Sequence, residues 1–597
     1  MFGPGSPAPG WLGADATVSG SPEPPGSTMR TPLTASAVLA FGLTLAVPVH
    51  ADEAPSYGAP EASGAIEVSA LGTYHSDVFD ASGAEIVAHD PRTQRLFVVN
   101  AAAATVEVLD VSDPERPEKL FELETSGVGA ADGSVVEEGG ATNSVAVHGD
   151  VVAVAVEAAD RTDDGWVVFF DTNGRSVNAL RVGALPDMAT FTPDGRILLI
   201  ANEGEPDDDY TVDPEGSVSV IKVSRRPAAL TQDDVRTADF RAWDEGRELH
   251  PDVRVFGPDL STGEPGTPGR VARNLEPEYI VADTAYSAHV VLQEANAFAV
   301  LDLRTAQFTD IIPFGLKDHL EPGNEFDASD RDDAINIANW PVRGTYQPDG
   351  FDSYRWQGQT LLVTANEGDA RDWDGYSEET RLKNLVVDEA PLCEDSPRIR
   401  EFLADNDQGI STVEELLADH NLGRLTVTAA DGLRADGSCY EDIHAFGGRS
   451  FSIFTTEGEQ LFDSGSDFER ITAEAAPEYF NSNHRQNSFD TRSDDKGPEP
   501  EDVVLGQVEG RTYAFIGLER VGGVMVYDVT DPHDVTFSQY LNNRDFSAAP
   551  DTREAGDLGA EGLIFIDGED SPVPGVPVLV VANEVSGTTT LFRVDRA

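Results

Sequence analysis

Glutamate closes one short apolar run after another in this 597-residue chain. ILLIANE, LLVTANE and LVVANE end at Glu203, Glu367 and Glu584, and runs of the same plan end at Glu157, Glu294 and Glu519, with Ala101 in the remaining unit. An acid or amide opens the run before each of them: Glu85, Asn143, Asp187, Glu278, Asp349, Glu501 and Glu561. In a hairpin the start of one strand lies beside the end of the next, so openers and closers share one face. Carboxylates crowded there repel unless a cation, an arginine or backbone N–H groups compensate. Two readings follow: the acids accept hydrogen bonds from backbone amides in every repeat, or they bind a hard cation such as Ca²⁺, which takes oxygen ligands. For the second, the expected metal ligands on the rim are Glu203, Glu278, Asp349, Glu367, Glu501, Glu519, Glu561 and Glu584.

Two acidic segments break the regularity. GNEFDASDRDDAINI (323–337) and QNSFDTRSDDKGPEPE (486–501) each carry Asn, then Phe-Asp, then a cluster of Ser, Arg and Asp. Asp330 and Asp332 join the metal candidates. Arg331, Arg492, Asp494, Asp495 and Lys496 form a mixed-charge set that could hold a metal together with a phosphate ester. An ion-pair network locking long loops is the plainer reading of the same residues. Lys317, Asp318 and His319 are further polar site candidates. Asp405-Asn406-Asp407 starts like a calcium loop, but Ile410 stands where an EF-hand needs its turn glycine. The histidines lack zinc spacing, and neither a GxSxG elbow nor a Walker loop occurs.

The elements that must position these residues are strands. Short runs rich in Val, Ile, Phe and Leu, bounded by Gly, Pro, Asp and Asn, recur with almost no helical periodicity. Seven units align, each with a strand, a turn, a second strand ending at the closer, and a third strand such as TVEVLDV or VMVYDV. The pattern predicts an all-β, seven-bladed β-propeller over 65–597, with IEVSALGTY (66–74) closing the ring beside the last strand. Blade 5 is interrupted by an insert, 368–449. It holds Cys393, Cys439 and one expected helix, STVEELLADH, with Ser411 and Glu414 spaced as a capping box.

The charge is lopsided: 41 Lys+Arg against 107 Asp+Glu, a net −66. Such a surface repels nucleic acid and anionic membranes, attracts cations, and suits a saline medium. Met29-Arg30, the apolar run 33–47 and Val49-His50-Ala51 read as a secretory signal cleaved after Ala51, with Met29 the true start and 52–64 a flexible lead-in. No later run reaches the roughly 18 apolar residues of a membrane span. Two cysteines suit an oxidising compartment; they either pair or remain free thiols, and pairing is the expectation.

The strings LPDMATFTPDG, ANEGEPDDDY, VTANEGDARDWDG, RSFSIF, RSDDKGPEPE, GGVMVYDVTDP and LVVANEVSGTTT resemble the choice-of-anchor I family, secreted or surface bacterial proteins related to mesenchyme-specific cell surface glycoproteins. The resemblance spans about 64–594 and implies a YVTN/WD-like propeller displayed outside the cytoplasm, without a C-terminal sorting signal here. Some relatives are labelled alkaline phosphatase-like. The expected function is a periplasmic or secreted propeller that binds a cation, an anionic small molecule or a cell-surface partner on its acidic, insert-bearing face. The alternative is a Ca²⁺-dependent phosphoesterase.

Overall fold

The computed structural model describes residues 56–223 and 226–597. The expected leader and its cleavage site lie outside the described residues. The fold is all-β, built on seven four-stranded antiparallel sheets. Six are consecutive meanders: sheet 1 (87–124), sheet 2 (142–184), sheet 3 (186–239), sheet 4 (277–313), sheet 5 (351–463) and sheet 6 (500–541). Sheet 7 joins three strands of 560–596 to the strand Ile66–His75, which pairs antiparallel with the C-terminal strand from Ile66↔Arg596 to His75↔Thr588.

The apolar runs are continuous because each sheet is covered on both faces. Seven apolar clusters fill the gaps between neighbours: Phe97 and Trp166 between sheets 1 and 2, Leu180 and Ile200 between 2 and 3, Leu199 and Val290 between 3 and 4. Phe298 and Phe454 lie between 4 and 5, Phe451 and Met525 between 5 and 6, Phe515 and Phe592 between 6 and 7, and Val98 and Val580 between 7 and 1. The first strands of successive sheets touch in an unbroken cycle, with Ala560–Ile566 returning to Val87–Asp90. They therefore surround a common centre, a propeller-like arrangement.

The asparagine of the Ala-Asn-Glu motif belongs to the sheet. Asn202 is fully buried; its Nδ2 donates to Ser217 Oγ (3.2 Å) and Ser219 Oγ (3.1 Å) on the third strand, and its Oδ1 accepts from Gly183 N (3.0 Å). Asn366 repeats this with Ser450 Oγ (3.3 Å) and Ser452 Oγ (2.9 Å).

Between the second and third strands of sheet 5 the chain makes a second core with the segment before that sheet. Phe326, Trp340 and Val342 pack with Leu382, Ile399, Leu425 and Ile443. A short parallel pairing, Val342↔Ile443 to Gly344↔Ala445, joins the two segments. The Cys393 and Cys439 sulfurs are bonded, with Cα atoms 5.1 Å apart.

The helical expectation needs correction. The helix is only Val413–Leu416, and its N-cap is Thr412, whose Oγ1 accepts from Glu415 N (3.2 Å). Glu415 Oε2 turns back to Ser411 N (2.8 Å), so the cap is shifted one residue from the Ser411/Glu414 reading. Helices Leu382–Asp388, Pro397–Ala404 and Asp467–Ala475 are only 7, 8 and 9 residues long, too short for a period to stand out in the sequence; they bury Leu385, Phe402 and Phe468.

Replacing Asn202 by Ala strands buried hydroxyls and an amide, each costing about 1–3 kcal/mol when left unpaired. Asn202→Ala is expected to lower the denaturation midpoint clearly, whereas Asn173→Ala, on an exposed turn, leaves it unchanged.

Candidate functional site

At the centre of the cycle lies a cavity of about 570 Å³, lined by twelve carboxylates and only two cations, Lys496 and Arg520. Two local devices turn the acids inward. The openers sit on β-bulges: pairing skips from Pro186↔Asn202 to Ala189↔Ile200, from Pro277↔Leu292 to Ile280↔Val290, from Pro500↔Leu518 to Val503↔Ile516, and from Ala560↔Asn583 to Leu563↔Val581. Asp187, Glu278, Glu501 and Glu561 fall in the skipped residues, where a bulge re-aims side chains. The second device is glycine. Gly204 (φ +76°) and Gly368 (φ +93°) follow Glu203 and Glu367, and a Cβ on either would strike backbone at 2.6 Å (Glu215 O) or 2.2 Å (Gly447 N). These turns bring a second acid, Glu205 or Asp369, into the cavity. The third copy of the motif has Val585 in place of glycine, and it packs on Ala555 and Leu558 instead.

The cavity is electrostatically uneven. On the sheet 5–6 side, Lys496 Nζ lies 2.8 Å from Glu367 Oε1, and Gln293 Nε2 donates to Glu367 Oε2 (3.0 Å). Arg520 Nη1 lies 2.7 Å from Glu519 Oε1, and His484 Nδ1 lies 3.0 Å from the same oxygen. Behind them the fully buried Glu499 receives Arg492 (2.5 Å) and Arg520 (2.7 Å) and lies 3.6 Å from Lys496. Burial opposes ionisation of Glu499, but these three cations outweigh it and hold its carboxyl far below the usual range. Burial likewise pushes Glu519 up, yet Arg520 and the His484 hydrogen bond keep it low.

Elsewhere on the rim the carboxyls rise. Burial, then neighbouring acids, lifts Glu278, Asp349, Glu501 and Glu561 well above the carboxylate range. Burial also takes Glu85 to about 7, and with Glu519 beside it Glu584 reaches about 8. Glu278 Oε2 and Glu501 Oε2 are buried and accept no hydrogen bond from a described residue. Glu367, Glu501 and Glu519 each bring a carboxylate oxygen within 4.8 Å of the others, and a ring nitrogen of His484 gathers within the same range of carboxylate oxygens of Glu519 and Glu584. The first group is the stronger oxygen-donor set for a hard cation, because all three of its ligand atoms are carboxylate oxygens whereas the second offers a ring nitrogen. Met188 and Tyr279 line this cavity and also two others of about 470 and 460 Å³, so the space continues past them.

Of the sequence-derived metal candidates, Glu203, Glu278, Asp349, Glu367, Glu501, Glu519, Glu561 and Glu584 line the cavity together. Asp330 and Asp332 lie elsewhere: Asp330 is held by Arg424 (2.6 Å) and Arg331 (2.8 Å), and Asp332 accepts from Ala334 N (3.0 Å). Among the mixed-charge set only Lys496 lines the cavity. Arg331 is exposed on Asp330, Asp494 is held by Arg381 (3.0 Å) and Arg424 (2.8 Å), and Arg492 bridges Asp495 (2.8 Å) and Glu499. Those residues form the ion-pair lattice that fastens the inserts. Lys317 is buried on Asp463 (2.9 Å), Asp318 is paired with Arg398, and burial drives His319 down to about 3, so this trio is structural too. The acidic tail that begins at Asp369 stands out in the sequence, and the structure brings Asp369 into the cavity lining. Glu205, Glu499, His484 and Arg520 do not stand out; the Gly-acid step after Ala-Asn-Glu was the available signal for Glu205.

The fold and site define a propeller-like all-β protein with a carboxylate-lined centre. Residues 85–532 match the choice-of-anchor I domain, and the chain belongs to that family. It is 30% identical over 188 residues to Gigasin-3a of Magallana gigas, covering 30% of this chain and 66% of that protein. It is 29% identical over 294 residues to the mesenchyme-specific cell surface glycoprotein of Strongylocentrotus purpuratus, covering 45% of this chain and 37% of that one. The chain thus spans less than two thirds of either relative. Among solved structures, Kuenenia stuttgartiensis hydrazine synthase aligns with a TM-score of 0.40 at 12% identity, covering 86% of this chain and 96% of its own. Streptogramin B lyase aligns at 0.38 and 9% identity, covering 89% and 98%. No helix among the described residues is long and apolar enough to cross a membrane.

A raised folded-state pKa means that the native protein holds protons the unfolded chain has released. That stability is present below the unfolded value, about 4.5, and is lost as pH rises through the folded values of about 7 to 8. Chelator-treated protein is therefore expected to melt at falling temperature from about pH 5 to about pH 8. Saturating Ca²⁺ should flatten that slope; a flat profile without metal would remove the electrostatic account of the rim.

Proposed function

We propose that this protein is an extracytoplasmic, seven-bladed β-propeller that binds a hard divalent cation of the Ca²⁺ class in its central cavity. Through that ion and Lys496 and Arg520 it would engage an anionic group of a small molecule or surface partner. The seven sheets are the blades, 65–597 the propeller, 368–449 the blade 5 insert, and cleavage after Ala51 releases it to the periplasm or medium. The surface character of the mesenchyme-specific relative favours this location.

The observation that carries the reading is Glu501. It is 8% exposed, lines the cavity, has one oxygen without a hydrogen-bond partner, and reaches Glu367 and Glu519 within ion-ligand range. A carboxylate so placed is costly unless neutralised by a proton or a cation. The phosphoesterase alternative draws less support, since of its phosphate-binding cations Arg331, Arg492 and Lys496 only Lys496 lines the cavity.

Calorimetric titration of chelator-stripped protein with Ca²⁺, repeated at rising pH through the value of about 8 reached by Glu584, is expected to show binding that strengthens as the carboxyls release their protons. Glu501→Gln should weaken it by at least about tenfold, the equivalent of about 1.4 kcal/mol. Unchanged affinity in that variant would refute the assignment. The same samples, assayed on p-nitrophenyl phosphate and a phosphodiester, are expected to show no turnover; Ca²⁺-dependent hydrolysis lost in Glu501→Gln would favour the phosphoesterase.

A further inference from the structure

The Phe-Asp step shared by the two acidic segments converges on a second site, apart from the central cavity. Asp327 and Asp490 are 0% and 2% exposed, and they approach each other beside Glu469 (1%) and Asn481 (0%). Glu469, on the helix Asp467–Ala475, is the hub. Its Oε2 accepts from Asp327 N (2.7 Å), and its Oε1 accepts from Arg449 Nη1 (2.7 Å) and Asn481 Nδ2 (3.4 Å). Asn481 Nδ2 also donates to Ser493 Oγ (2.8 Å), which in turn donates to Asp490 Oδ1.

This leaves three buried carboxyls against one guanidinium, and Arg449 is committed to Glu469 and to the carbonyls of Asp327 and Ser493. Two oxygens are left over. Asn481 Oδ1 and Asp490 Oδ2 are buried and accept no hydrogen bond from any described residue. Both are acceptors, so a positive group would satisfy them, whereas a further acceptor would not. Unpaired buried charge is not sustained in a protein interior.

We propose that this cluster is a structural site for a hard divalent cation of the Ca²⁺ class, with Asp490 Oδ2 and Asn481 Oδ1 as ligands and Asp327 as balancing charge. Carboxylate and amide oxygens are what such an ion takes, and water or backbone carbonyls commonly complete its shell. The ion ties the segment before sheet 5 to the segment before sheet 6. Arg449 extends the tie by holding Ser493 O and Asp495 O, next to Lys496 in the central cavity. The ion thereby fixes the stretch that presents that lysine. The competing state is a protonated Asp490, whose carboxyl burial and Asp327 push up to about 9.

The two states respond oppositely to isosteric changes. In a Glu501→Gln background, which removes the central-cavity ligand, bound Ca²⁺ is measured by equilibrium dialysis with atomic emission, and melting is followed with and without Ca²⁺. Adding Asp490→Asn is expected to remove about one equivalent of Ca²⁺ and abolish the Ca²⁺-dependent rise in melting temperature. Asn481→Asp, in the same background, also removes the Nδ2 donations to Glu469 and Ser493, so it should melt below the parent without Ca²⁺ and show a larger Ca²⁺-dependent rise. The proposal is overturned if Asp490→Asn keeps the parent's stoichiometry and Ca²⁺ response. It is equally overturned if Ca²⁺ does not raise the melting temperature of Asn481→Asp, as for an added buried charge without a counter-ion.

Discussion

Each sheet of this protein is apolar on both faces, and the rest of the structure follows from having to bury both. A sheet with one wet face can end a stack, but these cannot, so every sheet needs a neighbour on each side. The cycle closes only when the strand Ile66–His75 pairs with Thr588–Arg596, which gives sheet 7 its fourth strand and its cover. Closure then forces the seven first strands together around one centre. The acids that open these strands are carried there by the burial of Val, Leu and Phe elsewhere on the same sheets.

That geometry creates the electrostatic problem that the site answers in two ways. On the sheet 5–6 side the chain supplies its own counter-charges: Lys496 and Arg520 reach the cavity, and Glu499 holds them from behind with Arg492. Glu278, Asp349, Glu501 and Glu561 line the same cavity with no ion pair of their own among the described residues, and their carboxyls rise accordingly. The unevenness is what gives the cavity a direction: an uncompensated acidic arc suited to a cation, beside two positive groups suited to an anion. The inserts serve this asymmetry, since the loop bearing Lys496 is braced by Arg449 and by the Arg381–Asp494–Arg424 lattice.

Sequence and structure agree most closely where side-chain chemistry repeats. The recurrence of an apolar run ending in Ala-Asn-Glu locates second strands at Ile197–Asn202, Gln359–Asn366 and Val578–Asn583. The gathering of Glu203, Glu367 and Glu584 on one face follows from hairpin geometry alone. Agreement fails where the residue type is right but its partner is distant in the chain. Asp330 and Asp494 look like site residues by composition, yet Arg424 and Arg381, far away in the chain, claim them. His484 and Arg520 pass unnoticed for the same reason: His484 matters through Glu519 and Arg520 through Glu499, contacts that no local spacing displays.

What the sequence determined by itself is the periodic part: strand, turn, strand, rim acid, third strand. These depend on alternation, turn residues and local pairing, which act over some twenty residues or fewer. What only the tertiary structure decided is the charge state and company of each acid. The cost of a buried carboxylate depends on every group within a few ångströms, and Glu367, Glu501 and Glu519 belong to different sheets. A glutamate on the rim is written in the repeat; whether it keeps a proton, meets a lysine or waits for a cation is set by the closure of the ring.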